Sequence, residues 1–93
     1  MMGRRIPDGA TPAQPGEYAW MPYARWQHMP PFFDGEGEWH LIAPDGRIGA
    51  VRTLKGQPPT HAVEVHADGA ITVTPSLVMP SGWHGFLVRG EWS

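Results

Sequence analysis

The chain has 93 residues, a net charge of −2 and no cysteine. This length allows one small domain, and the absence of cysteine excludes disulfides and thiolate metal sites. The scattered basic residues do not form the positive patch of a nucleic-acid-binding protein, and no apolar run approaches the roughly 20 residues that span a membrane. We therefore expect neither nucleic acid nor a membrane as a partner.

The first 36 residues are predicted to form an extended arm that precedes the folded domain. Proline and glycine interrupt residues 1–17, which show no hydrophobic periodicity. Residues 18–33 carry too many apolar groups to remain in water, so they would pack either on their own domain or in a groove of a neighbouring chain. The candidates for partner contact are Tyr18, Trp20, Met21, Tyr23, Trp26, Phe32 and Phe33.

Two Asp-Gly pairs follow, each between β-prone runs, and they predict two β-hairpins. At Asp68–Gly69 a three-residue loop pairs Val65 with Ile71, whereas a two-residue turn would pair Val65 with the polar Thr72. The three-residue loop is favoured because it makes one apolar face continuous. The same count at the first hairpin predicts the same loop, with positive φ at Gly46 and Gly69.

The last stretch, residues 81–93, predicts a closing strand after a turn at Pro80–Gly82. Strand alternation puts Trp83 and Leu87 on one side and Phe86 on the other, and we expect Trp83 and Phe86 both to be buried. The predicted fold is all-β: a small antiparallel sheet or sandwich of about five to six strands over residues 37–93, preceded by the arm of residues 1–36.

The sequence offers little chemistry for catalysis. His61 and His66 are five residues apart and so project from opposite faces of a strand, which disfavours a metal site. There is no nucleophile-elbow serine and no phosphate-binding loop, so we expect no enzyme, no cofactor and no metal. Four residues could form an aromatic and imidazole ligand pocket, namely Trp39, His40, Trp83 and His84.

Three separated motifs resemble those of a family of small β proteins encoded by bacteriophages of high-GC hosts. They are W-H-L-x-x-P-D-G-x-x-G at 39–49, V-x-x-H-x-D-G-x-I-T-V-x-P-S at 63–76, and W-H-G-F-L-x-R-G-x-W at 83–92. Some similar bacterial proteins carry cysteines around the first hairpin, as if to hold a metal, but this chain keeps only His84 of that pattern. The resemblance covers roughly the last 55 residues and implies a phage protein.

Together these features lead us to expect a non-enzymatic structural or accessory protein of a bacteriophage virion. In this hypothesis the β domain lies on a capsid or tail surface, and the arm docks on neighbouring subunits, which can include other copies of this chain. The protein would be found in the virion, or in the host cytoplasm during infection. The alternative is a small intracellular phage module that binds a host protein or a small ligand.

Overall fold

The described chain consists of β-strands and turns. The computed structural model describes residues 1–22, 37–53, 61–79 and 82–93. Those residues contain no helix, and the all-β prediction is confirmed. The strands are β1 (Arg4–Arg5), β2 (Glu17–Pro22), β3 (Gly37–Ile42), β4 (Ile48–Thr53), β5 (Ala62–Val65), β6 (Ile71–Val78), β7 (His84–Val88) and β8 (Glu91–Trp92).

The strands form two four-stranded sheets whose inner faces share one core. Sheet 1 has the order β1-β2-β3-β4, and sheet 2 has the order β5-β6-β7-β8. Neighbouring strands are antiparallel except β1 and β2, which are parallel. A bulge interrupts β6 between Val73 and Leu77, where the Thr74–Pro75 peptide is cis. The predicted antiparallel architecture is confirmed, with more strands than expected.

Both predicted Asp-Gly hairpins form in the predicted register. Val65 lies opposite Ile71 in the second hairpin, and Ile42 lies opposite Ile48 in the first. Each loop has three residues. The residue before the loop donates its N–H to the carbonyl oxygen of the residue after the loop, and its own carbonyl oxygen accepts a hydrogen bond from the N–H of the loop glycine. The requirement for one continuous apolar face therefore selected the right loop length.

The two loop glycines take the predicted left-handed conformation. Their φ angles are +87° at Gly46 and +86° at Gly69, a region that costs other L-residues about 1–2 kcal/mol but glycine very little. The aspartate before each glycine accepts a hydrogen bond from the backbone N–H two residues further on, at 3.1 Å for Asp45 and 3.0 Å for Asp68. Turn chemistry thus accounts for both aspartates.

The core lies between the inner faces of the two sheets. Alternation along β7 separates the faces, since Leu87 is fully buried whereas its neighbours Phe86 and Val88 are about half exposed. Complete burial of a large apolar side chain contributes about 1.5–3 kcal/mol. The largest fully buried side chains are Tyr18, Leu41, Val51, Ile71, Leu87 and Trp92.

Residues 1–22 are part of the β domain, which corrects the predicted arm of residues 1–36 over this range. Strand β2 lies inside sheet 1 between β1 and β3 and pairs with β3 from Tyr18 to Pro22. Its buried side chains include Tyr18 and Ala19 on opposite faces. The strand folds into the domain because apolar residues occupy both of its faces. The rest of the predicted arm, residues 23–36, lies outside the described residues.

Residues 1–6 form a seam between the two sheets, which we call the N-terminal seam. On one side Met2 pairs with Glu91 of β8, and the Gly3 N–H donates to the Gly90 carbonyl oxygen at 2.6 Å. On the other side β1 pairs with β2. A Cβ at Gly3 would lie 2.7 Å from that Gly90 oxygen, so this close approach of backbones requires glycine.

The last residues form a hairpin instead of a single closing strand. A two-residue turn at Arg89–Gly90, with φ of 48° and 78°, joins β7 to β8. Trp92 is buried on β8, and its Nε1–H donates to the Gly16 carbonyl oxygen at 3.0 Å. Trp83 is half-buried with its ring 5.6 Å from that of Trp92. The expectation that Phe86 is buried is wrong, because its side of β7 is the outer face of sheet 2.

Candidate protein-binding face

Exposed apolar side chains concentrate on the outer face of sheet 2. Within the described residues, four of the seven large apolar side chains that are exposed lie there: Met2 (70% exposed), Val78 (69%), Phe86 (52%) and Val88 (48%). The other three are Met1, Ile48 and Val65. Single exposed apolar residues are ordinary on a protein surface, whereas a contiguous group marks a contact surface.

Strand register brings the four side chains to one side of the sheet. Phe86 and Val88 are two residues apart on β7, so they project to the same face. Val78 of β6 lies opposite His84 of β7. Val88 lies opposite Glu91 of β8, and Glu91 also lies opposite Met2 on its other side. Directly opposite residues project to the same side of a sheet. We call the resulting surface the outer patch, formed by Met2, Val78, His84, Phe86 and Val88.

His84 is held in place within the outer patch. Its Nε2 and the Ser76 Oγ share a hydrogen bond of 2.7 Å. The imidazole lies 6.5 Å from the Phe86 ring, at an angle of 32° between the planes. The Ser76 carbonyl oxygen in turn accepts a hydrogen bond from His61 Nε2 at 3.2 Å. The patch therefore presents one oriented polar group beside its aromatic ring.

Two carboxylates lie on either side of Val88, in a row that crosses the strands. Glu64 on edge strand β5 lies opposite Thr72, and the register of β6 and β7 puts Thr72 beside Val88, which lies opposite Glu91. These four residues form a row across the whole of sheet 2. At about 4.8 Å per strand the two glutamates are about 14 Å apart. Both are exposed, the Glu64 side chain to 75%.

A carboxylate, an imidazole and a hydroxyl come together at one end of this row, in an arrangement similar to that of nucleophilic sites. His66 Nε2 is 2.7 Å from Thr72 Oγ1, and His66 Nδ1 is 3.8 Å from Glu64 Oε1. The second distance is longer than a hydrogen bond. The Thr72 hydroxyl also accepts the backbone N–H of Arg89 at 2.9 Å. This network therefore links β5, β6 and the β7–β8 turn on the outer face of sheet 2.

The outer face of sheet 1 has a different character. Ala19, Met21 and Glu38 are buried there, at 0–8% exposure. Glu38 Oε2 accepts a hydrogen bond from His40 Nε2 at 2.9 Å, and the two side chains are only 9% and 20% exposed. Ile48, on edge strand β4, is the exposed large apolar residue on the described part of this face. Sheet 2 thus provides the larger exposed apolar surface.

Three of the seven residues predicted to bind a partner are described, and two of them are buried within their own domain. Tyr18 is 2% exposed and Met21 is 8% exposed. Burial raises the pKa of the Tyr18 phenol above its ordinary value of 10.0. Trp20 is half-buried, with its ring 5.4 Å from that of Trp39. The prediction is therefore corrected for Tyr18 and Met21, and the remaining four lie outside the described residues: Tyr23, Trp26, Phe32 and Phe33.

The four residues of the predicted ligand pocket do not converge. Trp39 is buried in the core, with Arg5 Cζ 4.9 Å from the centre of its ring. His40, the next residue, projects to the outer face of sheet 1. Trp83 packs on Trp92, and His84 lies on the outer face of sheet 2. Because the two histidines lie on opposite outer faces of the sandwich, the pocket prediction is corrected.

The Glu17 carboxylate stabilises the loop before β2. The backbone N–H groups of Ala13 and Gln14 both donate to Glu17 Oε1 at 2.9 Å. These two hydrogen bonds hold the pKa of the carboxyl below its ordinary value of 4.5, and the Arg4 guanidinium, 3.3 Å from Oε2, acts in the same direction. The charged form of Glu17 is therefore the one that the fold favours.

The described residues bring together no group of three histidine or carboxylate side chains that could hold a metal ion. The same part of the chain contains no helix long and apolar enough to cross a bilayer. Known protein families, curated proteins and solved structures were each compared with the chain, and none matches it. The roles of individual residues thus rest on the geometry of the fold.

Sequence reasoning missed two members of this face, Met2 and Glu91. The sequence pattern places Met2 in the arm and predicts Glu91 as the continuation of a single last strand. The pair Arg89–Gly90 indicates the position of Glu91, because a residue followed by glycine, with strand residues on both sides, can form a two-residue hairpin turn. No local signal identifies Met2, because its position depends on pairing with a strand at the other end of the sequence.

Proposed function

We propose that this chain is a non-enzymatic protein-binding module that acts as a structural or accessory protein of a bacteriophage virion. The binding part of the proposal is carried by the outer patch, where Val78, Phe86 and Val88 are exposed together on one sheet face. The phage part is supported by the resemblance of three motifs between residues 39 and 92 to small phage-encoded proteins. The protein would act in the virion, or in the host cytoplasm during infection.

The outer patch is suited to binding because it is rigid. Its central strand, β7, is hydrogen-bonded on both sides and is anchored by Leu87, which is fully buried. A preorganised surface loses little conformational freedom on binding, so a larger share of the free energy from apolar burial appears as affinity. Aromatic residues at the centre of an interface commonly carry much of that energy, and Phe86 has this position.

The docking surface proposed here differs from the one predicted from the sequence. Tyr18 and Met21 of the predicted arm are buried in their own domain and offer a partner little area. The outer patch, in contrast, remains exposed in the described fold. The proposal therefore keeps the class of function and moves the contact from the arm to sheet 2.

Quantitative mass spectrometry of purified phage particles tests this function. We expect the protein to be a stoichiometric component of particles, and the substitution Phe86→Asp to reduce its incorporation strongly. Ile48→Asp is the matched control, because Ile48 is 54% exposed, close to the 52% of Phe86, but lies on the other sheet. Absence of the wild-type protein from particles, with the protein free in the cytoplasm of infected cells, would contradict the virion proposal and favour the intracellular module.

A further inference from the structure

We propose that the partner presents to the outer patch an amphipathic helix whose apolar stripe is flanked by lysine or arginine at both ends. This inference rests on the proposed protein-binding function and adds the chemistry of the partner. Its basis is the row of Glu64, Thr72, Val88 and Glu91, in which two carboxylates lie on either side of Thr72 and Val88, next to the exposed Phe86 ring.

The two charged side chains of the row are both acidic. Glu64 and Glu91 are exposed at the two ends of the row, and neither forms an ion pair with a lysine or arginine of the described residues. The basic residue nearest to Glu91 in the sequence is Arg89, which lies in the β7–β8 turn. A partner with positive charge at both ends of its apolar contact would complement this face.

A second copy of this chain is a poor occupant of the same face. When two such rows are laid on each other in line, each glutamate meets a glutamate, whichever way the rows run. The patch also spans only about 14 Å across the strands and about 15 Å along them, or roughly 200 Å². A stable interface usually buries about 800 Å² on each partner. Both its size and its charge therefore favour a small segment of another protein.

A helix fits the dimensions of the row. Helices commonly cover the apolar face of a sheet, and none of the described residues supplies one. Two residues eleven positions apart lie on the same side of a helix, about 16 Å apart. Lysine side chains at those positions can reach carboxylates separated by about 14 Å, with leucines between them over Phe86 and Val88.

Two synthetic helical peptides test the charge requirement. Both carry the same leucine stripe, one with lysine at the two flanking positions and the other with glutamate. Binding to the full chain is measured by fluorescence polarisation, and the contact site by amide chemical shift changes. We expect the lysine peptide to bind, with shifts at Val78, His84, Phe86 and Val88, and Phe86→Asp to abolish binding while Ile48→Asp leaves it unchanged.

The double substitution Glu64→Gln/Glu91→Gln should weaken binding of the lysine peptide about fivefold, since each exposed ion pair is worth about 0.2–1 kcal/mol. The matched control is Asp45→Asn/Asp68→Asn, which changes the net charge equally and keeps the side-chain oxygens that accept the turn hydrogen bonds. Equal weakening by both double variants would overturn the proposal, because it would show attraction to overall charge alone.

Two further outcomes would also overturn the inference. Equal binding of the two peptides would show that the face has no charge preference. A concentration-dependent dimer of the protein alone, abolished by Phe86→Asp in sedimentation, would identify the occupant as a second copy. Neither result would affect the function itself, because incorporation into particles is measured separately and would still depend on Phe86.

Discussion

Leu87 and Phe86 are neighbours on β7 with opposite surroundings, and their truncation should separate stability from binding. Leu87 is fully buried between the sheets, opposite Val73 on one side and Trp92 on the other. Phe86 is 52% exposed on the outer patch. We expect Leu87→Ala to destabilise the domain severely and Phe86→Ala to destabilise it only slightly.

The magnitudes follow from burial. Leu87→Ala removes three carbon groups from a fully buried site, about 2.4 kcal/mol at 0.8 kcal/mol each, and the cavity raises the total to about 3–5 kcal/mol. The whole free energy of unfolding of 93 residues is about 5–14 kcal/mol. Phe86→Ala should cost about 1 kcal/mol, because half of the ring is already in water and the deletion leaves no internal cavity.

Urea denaturation followed by tryptophan fluorescence measures both values, and the slope of unfolding free energy against urea checks that both variants unfold from the same compact state. Circular dichroism before denaturation shows whether Leu87→Ala folds at all. The reasoning about faces would be refuted if Phe86→Ala lost as much stability as Leu87→Ala. It would also be refuted if Leu87→Ala cost less than 1 kcal/mol, since this strand would then not be anchored as described.

Four other substitutions test three separate features by thermal or chemical denaturation. Gly46→Val and Gly69→Val should each cost about 1–2 kcal/mol because of positive φ, and a cost near zero would show that the loops adopt another turn. Gly3→Ala should be clearly destabilising although its φ is ordinary, because the new Cβ meets the Gly90 carbonyl oxygen; unchanged stability would show that the N-terminal seam is open in solution. Glu17→Gln should lower the melting temperature most above pH 4.5, and the difference from wild type should close as the pH falls through the lowered pKa of Glu17; a difference that stays constant at acid pH would contradict this role of the charge.

The hairpins could be predicted in detail because their information is local. An Asp-Gly pair needs a left-handed glycine, and the positions of Val65 and Ile71 around it fix the register through the apolar face alone. These rules use only residues within about ten positions of the turn. The structure agrees with them at both loops.

The course of the first 22 residues could not be predicted in the same way. The proline and glycine content of residues 1–17 predicts an extended arm. No local pattern indicates that Met2 pairs with Glu91. The burial of Tyr18 likewise depends on the inner face of sheet 2, which is formed by residues more than 50 positions away. Such pairings are decided by the packing of the whole domain.

The exposure of Phe86 was missed for a related reason. A strand with apolar residues on both sides is usually covered on both sides, and β7 follows this pattern in its sequence. Nothing in the described fold covers its outer side, where Phe86, Val78 and Val88 remain in water. When a sequence supplies apolar residues to two faces but a fold covers one, the uncovered face is the candidate for contact with another molecule.

The N-terminal seam has a consequence for the order of folding. Residues 1–6 have one hydrogen-bonding neighbour in β2, but the other, around residues 90–92, is synthesised after the rest of the two sheets. Contacts between such distant positions require a large loop to close and therefore form late. During translation the hairpins of residues 37–53 and 61–79 can form as soon as they leave the ribosome, whereas the seam must wait for β8. The step that joins the two sheets is thus expected to limit the rate of folding, and the amide of Gly3, which donates to Gly90, should be among the last to gain protection in pulse-labelling hydrogen exchange.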